Sequence, residues 1–154
     1  MPPTLHSRPG VPWIFPLFSL VVGVLGVVAA WVGVYLWLRT PAAWMGLLAA
    51  VDMALMLRLA AAPPGRTRAA LATVATATAI AIGLWMVTAT QMASLIGISP
   101  LESARRLGPV LAGELLRHGT DAWDVAMLAL ALPLAWRLAR GAIPPAVSAR
   151  RRSP

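Results

Sequence analysis

The sequence contains no cysteine, which excludes disulfides, thiol catalysis and thiolate metal sites. It contains no lysine either: all thirteen basic residues are arginine. Histidine occurs only at His6 and His118, and neither lies within an apolar run, so a bis-histidine haem site inside a helical bundle is excluded. No G-x-S-x-G, Walker A or H-E-x-x-H pattern occurs, so no enzymatic activity and no cofactor are expected. Charge is also scarce. Only 12% of residues are charged, against about 25% in a soluble domain, so most of the surface is not expected to face water.

What fills the 154 residues is apolar: 59% are hydrophobic. A bilayer span needs about 20 such residues, and four runs qualify, at about 13–38, 42–61, 69–96 and 122–138. The expected fold is therefore an all-α membrane protein, a four-transmembrane-helix bundle. A short amphipathic, extracytoplasmic helical segment at about 99–118 joins the third and fourth helices. The membrane domain covers 13–139. Residues 1–12, with Pro2, Pro3, Pro9 and Gly10, read as a flexible cytoplasmic tail, and 140–154, with Arg150, Arg151 and Arg152, as a disordered basic tail. Arg8 precedes the first run as in a signal peptide. The run continues past the weak small-residue site at Ala29 and Ala30 without a polar segment, so it is read as an uncleaved span.

The connections carry local signals. Pro41 suits the first turn of the second helix. Pro63-Pro64-Gly65 ends that helix, since proline lacks the N–H donor and glycine permits the turn. The alternating Ala-Thr stretch at 72–79 mimics a strand, but a lone strand cannot satisfy its backbone in lipid, so it is read as helix with threonine hydroxyls bonding to the preceding turn. Ser99, Pro100 and Glu102 have the N-cap, N1 and N3 pattern of a helix start. Leu101, Ala104, Leu111 and Leu115 follow at helical spacing, with Gly108-Pro109 as a break. In the first span, Gly26 and Ala30 form a small-xxx-small pair that allows close helix approach. Packing within the monomer is preferred for it over a dimer face.

Arginine position sets orientation. With four spans, Arg8, Arg58, Arg66, Arg68, Arg137, Arg140, Arg150, Arg151 and Arg152 share one side. Arg39, Arg105, Arg106 and Arg117 fall on the other, matched by Glu102, Glu114, Asp121 and Asp124. Both termini are thus expected in the cytoplasm. The arginine-only basic set is associated with GC-rich bacteria, which gives a bacterial inner membrane as the expected location. Trp13, Trp37, Trp44, Trp123 and Trp136 lie near span ends, as interfacial residues should. Trp31 and Trp85 lie deeper and read as packing residues.

Among polar residues, Asp52 is the leading candidate. A central aspartate costs about 2.5–3.5 kcal/mol on the insertion scale, and a leucine recovers about 0.3–0.6. The second span, with Leu47, Leu48, Leu55, Leu57 and Leu59, barely offsets it. Asp52 is therefore expected to face the bundle interior and to meet Thr76 or Thr78, which the hairpin places at similar depth. A structural interhelical hydrogen bond is preferred over a proton or cation relay. Gln91 reads as a cap on an interhelical contact rather than as the lining of an aqueous vestibule. Glu114, His118 and Asp121 have metal-ligand spacing, but Gly119-Thr120 interrupts the helix, and helix-end electrostatics is the preferred account.

These readings point to a non-catalytic subunit or accessory protein of a membrane complex. The alternative is a small proton- or cation-coupled transporter or channel-like protein using Asp52. The expected partners are the lipid bilayer and either another membrane protein or further copies of the chain. Nucleic acid is not expected, because no basic, aromatic-interleaved surface is visible.

Overall fold

Small side chains decide how the helices of this chain meet. The computed structural model describes residues 13–141; both predicted tails lie almost wholly outside them. The described chain forms six helices: α1 (Ile14–Leu38), α2 (Met45–Leu59), α3 (Arg66–Ile96), α4 (Pro100–Arg106), α5 (Pro109–Gly119) and α6 (Ala122–Arg140). Of these, α1, α3 and α6 are long and apolar enough to cross a membrane.

Four helices run alternately up and down. Ser19 meets Met56, and Gly23 meets Met53, so α1 and α2 are antiparallel. Gly46 meets Leu128, and Arg58 meets Leu138, so α2 and α6 are parallel. α2 and α3 pack together at the centre, while α1 and α6 flank them on opposite sides without touching each other. α2 buries Met45, Gly46, Ala49, Ala50, Met53, Ala54 and Leu57, a continuous face at helical spacing. α6 answers with Ala131, Ala135 and Ala139, all fully buried. Alanine on both sides lets the backbones approach closely.

α2 is shorter than the expected 42–61. It has 15 residues, about 22 Å at 1.5 Å per residue, and it lies between two residues with left-handed backbone, Ala42 (φ 49°) and Ala61 (φ 53°). Pro41 does not occupy its first turn. The connection is drawn inward instead, because the Pro41 carbonyl accepts a hydrogen bond from Trp31 Nε1 at 2.8 Å. Trp31 is fully buried. Its ring fills the space at Gly83, where an added Cβ would lie 2.6 Å from Trp31 Cε3.

α3 starts at Arg66, three residues before the expected 69, and its 31 residues extend about 46 Å, well beyond a hydrocarbon core of about 30 Å. The Ala-Thr stretch is helical. Thr73, Thr76 and Thr78 donate to the carbonyls of Ala69, Ala72 and Val74 at 2.8–2.9 Å. Helices α4 and α5 fold back over the last third of α3. Trp85 Nε1 donates to the Ala104 carbonyl at 3.3 Å, and Leu107 and Ala112 are buried against Ala89.

The start of α4 follows its sequence signal, with Ser99 Oγ accepting from the Glu102 N–H at 3.2 Å. Gly108-Pro109 separates it from α5. That break resets the helical phase, so the expected apolar face is only half right. Ala104 and Leu115 pack toward α3, but Leu101 and Leu111 are exposed.

Candidate functional site

Asp52 sits in the middle of α2 and is half-buried. It does not turn toward α3. Its Oδ2 lies 3.1 Å from where a Cβ on Gly23 of α1 would be, with Met53 Cε and Met56 Cγ at 3.0 Å from the same point. The missing side chain at Gly23 is what admits the carboxylate beside α1. The expected partners are engaged elsewhere. Thr76 is buried and donates to Ala72. Thr78 lines a groove between α1 and α3, away from Asp52. Helical phase explains the difference: the α2 face toward α3 and α6 is taken by alanine, methionine and leucine, and Asp52 falls at its edge. Among the described residues the Asp52 carboxylate has no hydrogen-bond partner.

Asp52 instead borders a shallow groove of about 380 Å³ between α1 and α2, with Gly26, Ala30, Leu48, Val51 and Leu55 along its walls. Here the sequence expectation for Gly26 and Ala30 is corrected. Both are exposed, as is Gly33 one turn on. A Cβ at Gly26 or at Gly33 would meet nothing within 4 Å. The stripe is therefore not used for packing inside the monomer, whereas Gly23 and Gly83 are. Leu48, Val51, Leu55 and Leu59 form an exposed apolar edge on α2 beside it. The result is a carboxyl in an apolar wall next to an open strip of helix backbone. An unpaired carboxylate in such a setting is costly, and a hydrogen-bond donor brought to it is correspondingly favourable.

The other polar candidates do not assemble into a site. Gln91 is half-buried beside a space of about 20 Å³ where Pro41, Thr88, Leu115 and Thr120 meet, room for about one water. Glu114 and His118 are exposed; His118 Nδ1 donates to the Glu114 carbonyl at 2.9 Å and stands 4.0 Å from Glu114 Oε2. Asp121 is taken up in the capping box of α6, with its N–H donating to Asp124 Oδ2 at 3.4 Å. Among the described residues, no three His, Asp or Glu side chains converge on a metal position.

A polar cluster that neither charge counting nor periodicity singles out lies where α6 ends. Arg68 is 5% exposed. Its Nε donates to the Ala139 carbonyl at 2.6 Å, Nη2 to Gly141 at 2.8 Å and Nη1 to Ala62 at 3.1 Å. Arg58 Nη2 donates to the Leu138 carbonyl at 2.6 Å. The last carbonyls of a helix have no intrahelical donor, and two guanidinium groups supply them here. Charge counting reads both arginines only as orientation signals.

Compared with known protein families, curated proteins and solved structures, the chain matches none of them.

Proposed function

We propose that this chain is a small polytopic protein of a bacterial inner membrane, a non-catalytic subunit or accessory protein that docks a further membrane helix in the α1–α2 groove. In this reading α2 is a fourth span, short but carried by its neighbours, and both termini are cytoplasmic. α4 and α5 cap the outer end of α3. The exposed edge of Leu48, Val51, Leu55 and Leu59 supports placing α2 against lipid. The arginines at the shared end of α2, α3 and α6 support the orientation.

One observation carries the docking role: the unused strip of Gly26, Ala30 and Gly33 stands beside a carboxyl without a hydrogen-bond partner among the described residues. A helix laid on that strip can approach closely and bring a donor to Asp52. The groove is shallow and open along its side, which favours docking over a conducting path. The test is extraction of the full chain from its native membranes in a mild detergent. The chain should run in a complex of defined stoichiometry, and Gly26→Leu, whose Cβ would meet nothing within 4 Å among the described residues, should fill the strip and release it as a folded monomer. A wild-type chain that runs alone, or a Gly26→Leu chain that stays in the same complex, would overturn the reading.

A further inference from the structure

The second groove of interest lies on the other side of α2. Leu130, Pro133, Leu134 and Arg137 recur at i, i+3, i+4 and i+7 along α6 and so share one stripe. With Leu47 of α2 they line a groove of about 480 Å³. From Leu130 to Arg137 it extends about 10 Å along the helix. Its wall is apolar except at one end, where Arg137 stands exposed. That end is where the chain concentrates positive charge. Arg66 and Arg140 are exposed there too, and Arg58 and Arg68 reach the α6 terminus. Among the described residues, that end contains no carboxylate: Asp52 lies mid-helix, and Glu102, Glu114, Asp121 and Asp124 belong to α4, α5 and the start of α6. Arg58 and Arg68 donate to backbone carbonyls around the end of α6, although Arg58 Nε is buried without a partner among the described residues; Arg137 is the arginine that borders the groove, its donors uncommitted among the described residues.

We propose that this groove holds one anionic phospholipid, an acyl chain lying against Leu47, Leu130, Pro133 and Leu134 and the phosphate meeting Arg137. The pairing follows from charge complementarity: an apolar groove leads to a cation at an end of the bundle that has no carboxylate among the described residues. A free phosphate would satisfy the charge but leave the channel unfilled. The inference rests on α2 and α6 standing in the bilayer.

The test uses the purified full chain in detergent, titrated with dioleoyl-phosphatidylglycerol or dioleoyl-phosphatidylcholine and read by native mass spectrometry. Phosphatidylglycerol should be retained about fivefold more tightly, the increment of one arginine near a headgroup. Arg137→Gln should bring the two lipids level, and Arg137→Lys should restore the preference. Leu130→Trp, which fills the channel and keeps the charge, should reduce retention of phosphatidylglycerol, and millimolar inorganic phosphate should not displace it. Equal retention of both lipids by the wild type, an unchanged preference in Arg137→Gln, or displacement by phosphate would overturn the site. Retention of neither lipid would overturn the bilayer placement itself.

Discussion

Gly83 and Gly33 show how much a single missing side chain can mean. At Gly83 an added Cβ would lie 2.6 Å from the buried ring of Trp31; at Gly33 it would meet nothing. Gly83→Ala should therefore displace Trp31, break its hydrogen bond to Pro41 and destabilise the bundle by about 1–3 kcal/mol, the usual cost of overpacking. Gly33→Ala should not destabilise the monomer, since the added Cβ meets nothing and alanine favours the helix over glycine. Reversible unfolding in detergent, followed by tryptophan fluorescence, measures both. Nothing in the sequence separated these glycines, since each sits in an apolar helix with similar neighbours. The same holds for Asp52. Its place in the middle of a helix was legible from the length of the run, but the face it takes was not. That face is fixed by Gly23, a residue that contributes by having no side chain.

At the scale of the element, ends were harder to read than middles. The helical runs and the Gly108-Pro109 break followed from composition and from proline's lack of an N–H. The start of α4 followed from Ser99. The start of α2 did not follow, because the Trp31–Pro41 hydrogen bond, formed across the hairpin, holds the chain out of helix until Met45. The end of α6 was also hidden. Gly141 has φ −64° and ψ 129°, so it does not form the left-handed turn that would satisfy the last carbonyls; Arg68 and Arg58 do so from other helices. Arg68→Gln should leave carbonyls of Ala139 and Gly141 short of a charged donor and cost about 2–4 kcal/mol. Hydrogen exchange should accelerate in the last turns of α6 and remain unchanged in α1, which makes no contact with it.

At the scale of the whole molecule, charge and small residues divide the surface into parts with different tasks. Arginine collects where α2, α3 and α6 meet, and the described carboxylates other than Asp52 collect around α4, α5 and the start of α6. Between them lies an apolar wall cut by grooves on both sides of α2. Composition alone indicated a helical membrane protein. It could not indicate that the Gly26-Ala30 strip faces outward, because that depends on which face of α1 the alanine-rich centre of α2 and α3 leaves free. The central claim, that this strip receives a partner helix, is most directly tested by cross-linking in native membranes, for which the absence of cysteine gives a clean background. A benzophenone attached to Ala30→Cys should give one discrete protein adduct, and the same group on Leu25→Cys, exposed on the α1–α3 side, should give only lipid adducts. Lipid adducts alone at both positions, or the same protein adduct from both, would contradict the account.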